Sequence, residues 1–162
     1  VYMPANGVIQ GMRPIMSYNY GAGNRKRMRE TLKSSLEVTG GIMAVGTVLF
    51  MVFPQVIMQL FNANEEMMGI GIPMLRIIAG GFLISTVGCV LSGAFEALGK
   101  GAQSLVISLL RQLLIIIPLS AVLAGIVGIY GVWVTFPIAE FVAAVVGCIL
   151  YRNFMKKLEQ KG

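Results

Sequence analysis

The chain has 162 residues, 56% of them hydrophobic and 12% charged, with a mean hydropathy of +0.79; soluble domains carry about 25% charged residues. So short a chain cannot build a core that buries this much apolar surface, which leaves lipid to cover much of it. The net charge of +6 sits in short segments between long apolar runs, histidine is absent, and Cys89 and Cys148 lie in different apolar runs. These features exclude nucleic acid as a partner, a Cys/His zinc site, a histidine-activated nucleophile and a readable disulfide framework.

Residues 1–20 are largely apolar but interrupted by Pro4, Asn6, Gly7, Gly11, Arg13 and Pro14, and are expected to be the end of a helix, a partial span. Val1 has no basic n-region behind it, so no signal peptide is visible, and the missing initiator Met is expected of a fragment. A basic segment follows, with Arg25, Lys26, Arg27, Arg29 and Lys33. It serves as a topology signal, with contact to anionic membrane lipid as a second reading.

Four runs are then long enough to cross a bilayer of about 30 Å at about 1.5 Å per residue: 38–61, 70–98, 105–127 and 132–151. The first carries Met43, Met51 and Met58, which with Met74 read either as adaptable ligand contacts or as lipid-facing filler. The second carries Arg76, expected to snorkel, and Gly81, Ser85, Gly88 and Ser92 on one helical face, read as a packing surface or a pocket wall. Glu96 stands near its end. The third run carries Arg111, and the fourth carries Glu140 one turn after Pro137.

Charges inside apolar runs are costly and should face the bundle interior or a water-filled cavity. Arg111 and Glu140 fall at similar depths in adjacent antiparallel spans, and Glu96 is an equally reachable partner for Arg111 across the Lys100 turn. Two readings stay open: a structural ion pair, or direct handling of substrate or ion by Glu140, Arg111 and Glu96. Four prolines, Pro54, Pro73, Pro118 and Pro137, fall one in each run, and such bends suit a gated cavity.

The connections 62–66, 99–101 and 128–131 are short turns. Outside the apolar runs, Lys and Arg are confined to the segment before the first full span, to Lys100, and to the tail 152–162 with Arg152, Lys156, Lys157 and Lys161. The two alternate connections contain neither, so an even number of spans is expected to join a cytoplasmic start to a cytoplasmic C-terminus. The fold class is therefore all-α: a polytopic transmembrane helix bundle of about four full spans plus a partial N-terminal one.

The stretch 10–24, with Gln10, Pro14, Tyr18, Asn19, Tyr20 and Gly21, resembles a signature of multidrug and toxic-compound extrusion (MATE) transporters; 92–100 and 131–140 are similar to further stretches of that family. The resemblance covers nearly the whole chain. It implies that residues 1–162 are part of the C-terminal lobe of a two-lobed antiporter in the plasma membrane. Such a protein exports organic cations and drugs by alternating access, using Na+ or H+ as the coupling ion and no other cofactor. It also implies a partner, the N-terminal lobe of the same protein. Where many relatives have Asp and Gln, this chain has Glu140 and Glu96. The alternatives are a related flippase for lipid-linked saccharides, which needs a wide, strongly basic cavity for which only Arg111 and Arg13 are candidates, and a non-transporting membrane scaffold. An enzyme is not expected, because no nucleophile motif or paired intramembrane carboxylates within one helix are present.

Overall fold

The computed structural model describes residues 1–160, all of whose elements are helical; Lys161 of the expected tail lies outside them. Helix α1 runs from Tyr2 to Gly21 through Pro14, about 30 Å at 1.5 Å per residue. The stretch expected to be the end of a helix is thus helical throughout, its Pro and Gly residues included. Pro14 removes only the bond to the carbonyl of Gln10, an exposed residue where the loss is cheap.

The turn after α1 is built by the residues at its end. The Ala22 N–H donates to the Tyr18 carbonyl, and Gly23 takes φ +68°, which a side chain would resist. Asn24 then caps α2 (Arg25–Val52) by accepting from the Arg27 N–H. The basic segment is therefore the opening of a helix rather than a loop.

Two expected single spans are broken. Pro54 disfavours helical geometry at Phe53, so α2 ends at Val52 and a short α3 (Pro54–Leu60) follows. After Asn64 caps Met67, α4 (Glu65–Gly80) and α5 (Phe82–Ala97) form a pair bent by 49°. The bend falls at Gly81, where an added Cβ would lie 3.3 Å from Pro137 Cα on another helix. The third run is α6 (Gly101–Leu109), a π-helical turn (Leu110–Leu114) and α7 (Ile116–Val127). The last, α8, extends from Ile129 to Gln160, so the expected basic tail is helical as far as the described residues reach.

By length and composition Arg25–Val52, Gly101–Val127 and Ile129–Gln160 can each cross a membrane, and α4 with α5 makes a fourth if taken as one span. At the centre stands α5. Its Val90, Leu91, Ala94 and Phe95 pack with Ile9, Met12 and Met16 of α1, Met28 and Leu32 of α2, Ile107 of α6 and Ala143 and Met155 of α8. Met43, which was read as ligand contact or lipid filler, is fully buried in a second cluster with Ala5, Ala79 and Phe82. On α7 and the turn before it, by contrast, Leu113, Leu114, Ile117, Val122 and Ile126 are exposed, a surface suited to lipid or a further helical layer.

Tyr20, Lys100 and Lys157 line one cavity, and Arg29 pairs with Glu159. The α1–α2 turn, the α5–α6 turn and the end of α8 therefore meet at a single basic end of the bundle.

Candidate functional site

Arg111 lies within the π-helical turn. Pro118, seven residues on, cannot donate to the Leu114 carbonyl and crowds it, so the helix widens just before it. The turn brings the Arg111 guanidinium to α5 and α8 together. Its Nε lies 3.6 Å from Glu140 Oε1, and its Nη1 donates to the Cys89 thiol. The side chains of Arg111 and Glu140 are 20% and 14% exposed, so the pair is poorly screened by water. Glu140 Oε2 is buried and has no hydrogen-bond partner among the described residues. Its helix is locally loosened by Pro137, which leaves the Trp133 carbonyl without its usual donor.

Arg111 also opens onto a cavity of about 110 Å³ between α1, α5 and α6, whose polar lining includes Asn6, Arg13, Cys89, Ser92, Ser108 and Glu96. At the far side of this cavity Arg13 pairs with Glu96, at half-exposed side chains of 41% and 42%. Ser104 donates to Glu96 Oε1 at 3.0 Å, and Ser92 lies 2.8 Å from Ser104 and 3.3 Å from Ser108. A chain of hydroxyls thus runs from one carboxylate toward the arginine that faces the other. Drug-sized ligands need about 300–1,000 Å³, whereas a water occupies about 30 Å³. The cavity is sized for a few waters or one small ion.

The expected approach of Arg111 and Glu140 is present in the geometry. Glu96 is not a partner of Arg111: it pairs with Arg13, while Arg111 in the π-helical turn faces Glu140 and Cys89. The small-residue face of α5 divides between its two readings. Gly81 and Ser85 serve packing, Ser85 also accepting from the Tyr2 hydroxyl at 3.2 Å, whereas Gly88 and Ser92 line the cavity. Arg76 is exposed. Of the signature residues, Tyr18 and Asn19 build the end of α1, with Asn19 Nδ2 donating to the Ile15 carbonyl, and Tyr20 packs against Phe154. Gln10 and Gly21 are exposed and Pro14 lies within α1; none of these lines the charged cavity.

Reading the sequence named Arg13 only as a candidate for a basic cavity, not as the partner of Glu96, and it missed Asn6, Ser104 and Ser108 as members of the site. Arg13 carried the signal, an arginine among apolar residues, but spacing did not show which carboxylate it meets. Ser92 stood on the small-residue face with a pocket wall as one of its readings, whereas Ser104 and Ser108 gave no signal, since hydroxyls are ordinary in membrane helices. Among the described residues no group of three or more His, Cys, Asp or Glu is placed to hold a metal ion.

The MatE family matches residues 1–122. The chain is 26% identical over 152 residues to the Multidrug export protein MepA of Staphylococcus haemolyticus, covering 94% of this chain and 33% of that protein. To MepA of Staphylococcus aureus strain MSSA476 it is 24% identical over 144 residues, covering 89% and 32%. Its fold is similar to that of the MATE multidrug transporter DinF-BH, with a TM-score of 0.83 and 35% identity over 93% of this chain and 34% of that one. An outward-facing MATE transporter of the MOP superfamily shares the fold at a TM-score of 0.89 and 21% identity, over 97% of this chain and 36% of that chain. The chain therefore spans about a third of the length of the relatives it matches. With the family match running over residues 1–122 of 162, this chain belongs to the MatE family of multi-pass membrane transport proteins.

Proposed function

We propose that this chain is the ion-handling part of the C-terminal lobe of a plasma-membrane multidrug exporter that couples inward cation flow to drug efflux by alternating access. The observation that carries this reading is the buried Arg111–Glu140 pair beside a cavity of about 110 Å³. A space of that size excludes a drug and admits water or an ion, which separates coupling chemistry from drug binding. The drug then binds on a surface shared with the N-terminal lobe. The resemblance to multidrug export proteins supports the substrate class.

A proton fits better than Na+ as the coupling ion. Na+ beside a guanidinium is repelled, whereas a proton on Glu140 neutralises it and releases Arg111. Movement between states would be accommodated at Phe53, at the Gly81 bend and at the π-helical turn. The flippase reading fits less well, because both arginines of this narrow cavity are paired with carboxylates. The basic end is assigned to the cytoplasm by its charge.

The test is efflux of a fluorescent organic cation from vesicles containing the full-length protein, with H+ and Na+ gradients imposed separately. Export driven by the H+ gradient is expected. Export driven by Na+ alone would overturn the ion assignment, and silence under both would overturn the exporter.

A further inference from the structure

We infer that the groove between α2 and α8 at the basic end holds the phosphate of one anionic phospholipid headgroup. The groove is open to the surface, has a volume of about 390 Å³ and is lined by Arg29, Tyr151, Arg152, Met155, Lys156 and Glu159. Its floor is Met155, which is buried, and its rim is closed by the ion pair of Arg29 with Glu159. Three cations there face one carboxylate, an excess of +2 that repels itself without an anion between the side chains. Arginine and lysine supply the donors that phosphate oxygens accept. A further donor waits unused: the Tyr151 hydroxyl is buried and has no partner among the described residues. Leaving such a group unsatisfied is costly, and an oxygen-rich anion relieves it.

The source of that phosphate follows from the helix face below it. Val145, Ile149, Arg152 and Lys156 recur at spacings of four, three and four, so they form one stripe along α8. Val145 and Ile149 are 43% and 54% exposed, and they lie on the side of Arg152 nearer the middle of the apolar run. An apolar track that ends in two cations beside a buried hydroxyl matches acyl chain and headgroup together, and Tyr151 sits where the apolar run meets its basic end, at the depth of headgroups. A free phosphate would make no use of the apolar track.

The experiment titrates the purified full-length protein, in uncharged detergent, with six-carbon-chain phosphatidylglycerol, with phosphatidylcholine of the same chain length, and with inorganic phosphate. Thermal unfolding is the readout. A saturable rise in Tm with phosphatidylglycerol alone is expected. The Arg152→Gln/Lys156→Gln variant should raise the half-saturating concentration about tenfold. Tyr151→Phe, which keeps the ring against Phe95, should raise it about threefold. Arg25→Gln/Lys26→Gln removes equal charge from the same end outside the groove and should leave it unchanged. An equal shift in that control variant would reduce the effect to general surface charge and overturn the site. An equal rise with inorganic phosphate would overturn the lipid assignment, and no saturable rise with phosphatidylglycerol would overturn both.

Discussion

At the scale of single residues, the site turns on two charges that the bilayer penalises and the fold brings together. Removing one partner of a buried pair costs about 3–5 kcal/mol, because the other charge is left without compensation. The two partners of this pair are not equivalent. Arg111 also donates to Cys89, so it keeps a contact when Glu140 becomes neutral, whereas Glu140 has no second cation beside it among the described residues. Arg111→Gln is therefore expected to lower the Tm of the full-length protein more than Glu140→Gln, and the double variant to recover part of the loss. Thermal unfolding of the four proteins in detergent checks this, and strictly additive losses would count against the pairing. Glu140 and Arg111 were legible in the sequence because a charge inside an apolar run needs a reason. The pairing of Glu96 with Arg13 was not. Depth along a helix can be counted from sequence, but rotation about the axis depends on the π-helical turn, which spacing does not reveal.

At the scale of elements, irregularities place the residues that matter. Pro118 disfavours a regular helix before it, so Pro118→Ala restores a donor to the Leu114 carbonyl and favours an ordinary α-helical turn. The expected outcome is reduced gradient-driven efflux as Arg111 swings away from Glu140, with a lower Tm because the loss of the buried pair outweighs the restored helix bond; a variant that is stable and fully active would contradict the role given to the turn. At the α7–α8 crossing, Gly131 allows two backbones to meet. A Cβ there would lie 2.7 Å from the Leu123 carbonyl carbon, while a Cβ at Gly125 would meet nothing within 4 Å. Gly131→Ala should therefore destabilise by about 1–3 kcal/mol and Gly125→Ala should not, both read by thermal unfolding. Hydropathy located the cores of these helices but not their breaks. Phe53 and Gly81 sit within apolar surroundings, so the apolar run continues across each bend. The extension of α8 beyond 151 was hidden for the opposite reason: its last turns are polar yet remain helical, anchored by Phe154 and Met155 in the core.

At the scale of the whole molecule, the basic residues of two connections and of the end of α8 come together at one end of the bundle. If that end is cytoplasmic, a cysteine introduced by Lys157→Cys in a full-length protein freed of its own cysteines should react with a membrane-impermeant maleimide only after the cells are opened. Labelling of intact cells would invert the topology. The chain supplies an interior charge pair, a water-sized cavity and broken helices, and it spans about a third of the length of its relatives. Whether Glu140 handles the coupling ion is decided by H+-gradient-driven efflux of a fluorescent organic cation, measured for the full-length protein and its Glu140→Gln variant side by side, with the Tm of each. Loss of efflux by at least about tenfold in a variant that stays folded is the predicted result, equivalent to about 1.4 kcal/mol of coupling. Undiminished efflux with a lowered Tm would show Glu140 to be a packing residue and contradict the account.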